Sequence, residues 1–142
     1  MARDGDGAVA YQEDLAGVAA GDLTGFFDGW PNPPTPATHL RLLAGSDAVV
    51  LARDAASGRV VGFITAITDG VLCAYIPLLE VLPDYRGRGI GTELARRMLA
   101  RLRDYYMVDL LCDAELQPFY ARLGLRPAVG MMARNYARQA GE

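Results

Sequence analysis

The chain reads as a mixed α/β domain: a largely antiparallel sheet containing one parallel strand pair, with helices on both faces. Three observations predict this. "AVVLARDAASGRVVGFITAIT" sets two β-rich runs on either side of a small-residue turn, the pattern of a hairpin. "VLCAYIPLLEV" leads through a glycine turn and an amphipathic stretch to a further apolar run, "YYMVDLLC". Strand–helix–strand order needs a crossover and therefore a parallel pair. Finally, 142 residues, 51% hydrophobic and 22% charged, suffice for a single core without disulfide or metal, so one domain spanning residues 1–142 is expected.

Taken in order, "AVAYQEDL" is expected as a first strand and "AGDLTGFFDGW" as a helix with Asp22 at its N-cap. "PNPPTP" (Pro31 to Pro36) cannot continue a helix. Thr38 through Leu43 resumes a helical pattern that Gly45 ends, and the hairpin follows. The near-continuous apolarity of "VLCAYIPLLEV" predicts a strand buried on both faces. Pro77 within it cannot donate to a ladder, and marks a bulge or the place where a neighbouring strand leaves. From Gly89 to Arg103, Ile90, Leu94 and Met98 recur at four-residue steps beside Ala95, Leu99 and Leu102, giving one apolar stripe, and Glu93 can pair with Arg97. "YYMVDLLC" is the next strand. "AELQPFYARLGL" is a helix with Pro118 in its first turn and Gly124 as its stop, and "AVGMMARNYA" is expected as a last strand.

Composition excludes several classes. Cys73 and Cys112 sit in apolar runs without a CxxC, and read as buried reduced thiols. His39 is the only histidine, so no metal site is expected. The opening "MARDGDGAVAYQEDL" lacks the apolar core of a signal peptide, and no run approaches the ~20 residues of a membrane span, so a cytoplasmic protein is expected. Net charge is −3, but residues 1–80 carry ten acidic and four basic side chains, whereas residues 81–142 carry seven and ten. Such asymmetry suits an anion held by the second half and a cation met by the first. Without a dense basic run, nucleic acid is not an expected partner.

The chemistry concentrates in "VLPDYRGRGIGTEL". A strand, a glycine turn and a helix N-terminus together form an anion site, because unpaired backbone N–H groups point outward and the helix dipole adds positive charge. Gly87, Gly89 and Gly91 would let a phosphate approach those donors, and Arg86 and Arg88 add forked donors. The alternative is that the glycines only shape a tight turn. A Walker A loop is excluded because the chain has no lysine, and G-x-G-x-G is not the dinucleotide spacing G-x-G-x-x-G.

Arg86-Gly87-Arg88-Gly89-Ile90-Gly91, preceded by Val81, Pro83 and Tyr85, resembles the Q/R-x-x-G-x-G/A motif of the GNAT superfamily of acyl-CoA-dependent N-acetyltransferases. "PFYARLGL" is similar to that superfamily's later helix, and the likeness runs in order and spacing from about Ala48 onward. The resemblance implies a GNAT-like sheet whose parallel pair splays apart, with acetyl-CoA as co-substrate and no metal. Arg86, Gly87, Arg88, Gly89, Ile90, Gly91 and Thr92 would hold the pyrophosphate. Leu79, Glu80 and Val81 would offer a strand edge to pantetheine, the Leu79 N–H polarising the thioester carbonyl, and Asp113 would be a further cofactor contact.

Tyr120 falls where the superfamily carries its tyrosine general acid; read from the helix alone it could equally be a core tyrosine. Members that use strand histidines as bases have them where this chain has Tyr75 and Pro77, which puts an arylalkylamine acceptor in doubt. Glu80 replaces them as base or serves as an acceptor for neighbouring N–H groups, and Asp109 is a second candidate. Phe27, Trp30, His39 and Tyr75 are candidate lining for the acceptor pocket, or a hydrophobic lid on the sheet, with Asp28 as an anchor for a cationic acceptor. The expected activity is transfer of acetyl from acetyl-CoA to a primary amine of a small molecule. The alternatives are a protein or peptide N-acetyltransferase and a non-catalytic CoA-binding sensor. A homodimer is compatible with the sequence, which does not itself decide the oligomeric state.

Overall fold

A computed structural model describes residues 8–142; the start of the stretch read above as lacking a signal peptide lies outside the described residues. The elements are β1 (Val9–Gln12), α1 (Pro36–Gly45), β2 (Ala48–Asp54), β3 (Val60–Thr68), β4 (Cys73–Tyr75), β5 (Leu79–Val81), α2 (Ile90–Arg101), β6 (Met107–Asp109) and α3 (Gln117–Ala121), with short 3-10 turns between. The sheet runs β1-β2-β3-β4-β6, and β5 pairs with β3 further along that long strand. Every pairing is antiparallel except β4 with β6. The mixed α/β fold, with its one parallel pair, is as expected.

The hairpin β2–β3 is the centre of the core. Val50, Leu51, Ala52, Val60, Val61, Phe63 and Ile64 are fully buried. Because alternate residues of a strand face opposite sides, helices must cover both faces. Phe63 points to the first face, against Phe26, Phe27 and His39. Gly62 points to the second, and a Cβ there would lie 3.0 Å from Leu94 Cδ1 and 3.3 Å from Ile90 Cγ2, so α2 packs against bare backbone. The predicted stripe is what docks: Ile90, Leu94, Ala95, Met98 and Leu102 are buried, while Glu93 bonds both Arg96 and Arg97 on the outside.

Four expectations need correction. "AGDLTGFFDGW" is helical only as a 3-10 turn over Ala20–Leu23, and Asp22 is its third residue, accepting from Ala19 N–H at 2.9 Å rather than capping. Gly25 and Gly29 take left-handed backbone there and end any longer helix. The helix α1 starts earlier than Thr38, with Thr35 as its cap and Pro36 at its first position, where a missing N–H costs nothing. "VLCAYIPLLEV" is not one doubly buried strand. Pro77 divides it into β4 and β5, and Tyr75 is exposed. The expected last strand, "AVGMMARNYA", pairs with no strand among the described residues: it is extended, exposed chain ending in a 3-10 turn at Tyr136–Arg138.

Candidate active site

The division at Pro77 positions the site. Up to Tyr75 the chain pairs with β6, and the last bond between them is Ile76 N–H to the Asp109 carbonyl at 3.0 Å. Beyond that point β6 departs, and among the described residues β5 continues with β3 as its only strand partner. Leu82 donates to Val61 O, and Leu78 O accepts from Thr65 N, so even-numbered residues of this ladder bond inward. The main-chain groups of Leu79 and Val81 therefore lie along the open edge.

From β5 the chain enters a 3-10 turn over Pro83–Tyr85 and reaches α2 through Gly87 and Gly89, whose φ angles of 77° and 80° are left-handed and suit glycine. A Cβ at either would meet nothing within 4 Å, so the space before the helix mouth is open. The first helical bond is Glu93 N–H to Gly89 O, at 3.1 Å, and Gly89 provides no side-chain cap. Among the described residues, the N–H groups of Ile90, Gly91 and Thr92 have no partner. Three convergent donors on a helix dipole fit a phosphate group.

The flanking arginines are tied down locally. Arg86 donates from Nε to Val81 O at 3.0 Å and pairs with Asp28 at 3.6 Å. Arg88 stacks over the Tyr85 ring at 5.0 Å and donates to Asp84 O. Tyr85 in turn donates to Asp54 Oδ2 at 2.8 Å, anchoring the turn to the end of β2. Asp54 also accepts from the N–H groups of Ala56 and Ser57. The Ser57 bond above all, then the Tyr85 bond, holds the Asp54 carboxyl below its ordinary range, and the Asp54 bond pushes the Tyr85 phenol up. Sequence reasoning missed this anchor, because 31 residues separate the two side chains.

Glu80 lies on β5 facing the first face of the sheet. Its Oε1 accepts from Phe27 N–H at 2.8 Å and its Oε2 from Asp28 N–H at 3.3 Å. Of the two roles open to it, acceptance from neighbouring N–H groups is the one its geometry fulfils. Phe27 takes φ +62°, a strained conformation for a bulky residue, and the carboxylate fixes it. Phe27 and His39 are buried in the aromatic cluster rather than presented to a pocket, whereas Trp30 and Tyr75 are exposed at their edges. Of the two readings of Phe27 and His39, pocket lining or a hydrophobic lid on the sheet, their burial accords with the lid.

Tyr120 lines a cavity of about 1160 Å³ together with Tyr75, Asp109 and Cys112. Burial first, and the Cys112 charge second, push its phenol above the ordinary tyrosine range, so it carries its proton at neutral pH. The helix α3 leans on the glycine turn: a Cβ on Gly91 would lie 3.7 Å from Val81 Cγ2 and 3.9 Å from Phe119 Cζ. Strand edge, anion mouth and tyrosine helix thus meet at one corner. Asp113 lies exposed at the start of the 3-10 turn before α3, accepting from Leu116 N–H through its carbonyl.

Comparison with known proteins identifies the family. The profile of the Acetyltransferase (GNAT) family matches residues 10–125. The chain is 32% identical to glucosamine 6-phosphate N-acetyltransferase 1 of Oryza sativa subsp. japonica over 136 residues, covering 85% of this chain and 82% of that protein. A crystal structure from Deinococcus radiodurans R1, assigned as an acetyltransferase, is 52% identical and superposes with a TM-score of 0.90 over 93% of this chain and 92% of that one. A GNAT family protein of Streptococcus pneumoniae TIGR4 is 26% identical, with a TM-score of 0.72 over 90% and 98% of the two chains.

Proposed function

The chain belongs to the GNAT acetyltransferase family, and we propose that it transfers acetyl from acetyl-CoA to a primary amine of a small molecule. The observation that carries this reading is the corner where three helix N–H groups, unpaired among the described residues, and the open edge of β5 meet α3, the helix that bears Tyr120. Ile90, Gly91 and Thr92 would hold the pyrophosphate through main-chain donors, with Arg86 and Arg88 beside them. Pantetheine is peptide-like, so Leu79 and Val81 would take it as an added strand.

The thioester supplies an acetyl group already activated for attack. Leu79 N–H would polarise its carbonyl as negative charge develops there. The Tyr120 phenol would pass its proton to the departing thiolate, a match its raised pKa permits. The amine's proton would leave through water to Glu80. Each carboxylate oxygen has a second lone pair, so Glu80 can accept it while still holding Phe27 and Asp28.

A small acceptor is favoured over a peptide by the tie between the proline loop and the C-terminal tail. Asn32 N–H donates to Gln139 Oε1 at 2.9 Å, and Thr38 Oγ1 bonds Glu142 Oε1 at 3.1 Å. The tail is thus fastened to the proline loop at Asn32 and to α1 at Thr38, which narrows the space a peptide would need beside Trp30. The test is release of free thiol from acetyl-CoA against panels of small amines and of peptides. Turnover confined to small amines is expected. Turnover with peptides alone would overturn the acceptor class, and CoA binding without any turnover would leave a sensor domain.

A further inference from the structure

On the acetyl-transfer reading above, on which this rests, we propose that Asp28 holds the ammonium group of the acceptor and that Arg86 covers Asp28 until acetyl-CoA draws it away. Arg86 makes two contacts. Its Nε donates to Val81 O at 3.0 Å, and its Nη2 stands 3.6 Å from Asp28 Oδ2. Val81 is a residue whose main-chain groups face away from β3, so the guanidinium lies across the edge that pantetheine would pair with. Each end of this bridge is a group that a substrate would need.

Backbone strain sets Asp28 in this place. Phe27 before it takes φ +62°, and the Glu80 carboxylate accepts from the N–H groups of both Phe27 and Asp28. A bulky residue keeps left-handed backbone only where its surroundings impose it, and such positions gather at functional sites. The outcome is a carboxylate on the very residue whose N–H touches Glu80, the group assigned to take the amine's proton. The Asp28 side chain is 55% exposed, so it is open to a ligand as well as to Arg86. Residues 1–80, which include it, carry ten acidic and four basic side chains, a field that a cation would enter.

Acetyl-CoA competes for Arg86 at both contacts. A pyrophosphate at the mouth of α2 carries more charge than one carboxylate and suits the forked donors of a guanidinium. Pantetheine along β5 contends for Val81 O at the same time. Arg86 therefore turns from Asp28 as the co-substrate enters, and the bared carboxylate then meets the ammonium. The ion pair is half exposed on both sides, so it restrains each binding event by no more than about fivefold. Linkage makes the effect mutual: an amine on Asp28 frees Arg86 and strengthens CoA binding by the same factor.

The test is a double-mutant cycle on CoA affinity, measured by calorimetry on the full chain as wild type, Asp28→Asn, Arg86→Gln and the two combined. Asp28→Asn releases Arg86 and should tighten CoA binding by up to about fivefold, and this gain should vanish in the Arg86→Gln background. No gain would overturn the latch. A gain that persists without Arg86 would overturn it too, since long-range charge would then suffice. In thiol release with the small amine that turns over fastest, Asp28→Asn should raise the amine KM about tenfold, with the loss falling on KM rather than kcat. Asp28→Glu keeps the charge and should recover most of it. An amine KM indifferent to Asp28→Asn would overturn the assignment of Asp28. Failure of every amine to turn over would remove the transfer reading, and the amine's hold on Asp28 with it, while the CoA cycle would still decide the latch.

Discussion

Replacing His39 by phenylalanine should change how stability depends on pH. The imidazole is 1% exposed, and its ring stands 5.3, 4.9 and 4.5 Å from those of Phe26, Phe27 and Phe63. Among the described residues, neither Nδ1 nor Nε2 has a hydrogen-bond partner. Burial therefore disfavours the imidazolium and lowers the pKa from 6.5 to about 4. Between those values the unfolded chain binds a proton that the folded chain refuses, so stability is complete above pH 6.5 and falls as pH drops towards 4. At 1.36 kcal/mol per pH unit the loss comes to about 3 kcal/mol, a large share of a domain's stability.

Urea unfolding of the wild type and His39→Phe, at a series of pH values through this window, isolates the effect. Carboxylates destabilise both proteins alike in acid, so the difference between the two curves belongs to His39. The phenylalanine variant should lose about 3 kcal/mol less, whatever constant offset its extra volume introduces. As the chain has one histidine, its imidazole resonance in the folded protein should titrate near 4. Parallel stability curves, or a folded-state titration at the ordinary histidine value, would refute the reasoning.

Other substitutions separate chemistry from scaffold. Tyr120→Phe should lower kcat by about 10²–10⁴-fold with CoA affinity unchanged, measured by thiol release and calorimetry; because the phenol is raised, wild-type turnover should lose its acid only above the ordinary tyrosine range. Glu80→Ala strips the acceptor from the Phe27 and Asp28 N–H groups and should cost about 2 kcal/mol in urea unfolding, whereas Glu80→Gln keeps one acceptor oxygen and should show its main loss in kcat. Gly89→Ala forces a side chain into left-handed backbone at φ 80°, at a cost of about 1–2 kcal/mol, and should weaken CoA binding in a thermal-shift titration. Tyr85→Phe cuts the tie to Asp54 and should weaken CoA binding while leaving the small-amine KM unchanged.

What could be read from the sequence was local. The stripe of α2, the hairpin and the glycine turn each announce themselves within about fifteen residues, because helix period, strand alternation and left-handed glycines are short-range signals. The anchor between Tyr85 and Asp54 and the grip of Glu80 on Phe27 span 31 and 53 residues. Main-chain N–H donors carry no residue signature, so an acceptor for them cannot be recognised from composition. Phe27 at positive φ runs against the preference of its own side chain and is set by tertiary contacts. The segment read as a last strand had the right residue types. Strand propensity supplies no partner, and among the described residues none pairs with it.

Pro77 accounts for more of the site than any residue in the glycine turn. Ending β4 there allows β6 to leave after Asp109, while β5 continues on β3 alone. The register on β3 shifts by one residue between β4 (Ile67 opposite Tyr75) and β5 (Ile64 opposite Leu79), so even-numbered residues, which face β6 up to Ile76, face β3 from Leu78 on and leave Leu79 and Val81 on the open edge. The same departure opens the cavity that Tyr120 lines. Strand edge and tyrosine pocket thus both begin where this bulge parts β5 from β6. The 3-10 turn that begins two residues after β5 ends then leads through Gly87 and Gly89 to the anion mouth at Ile90.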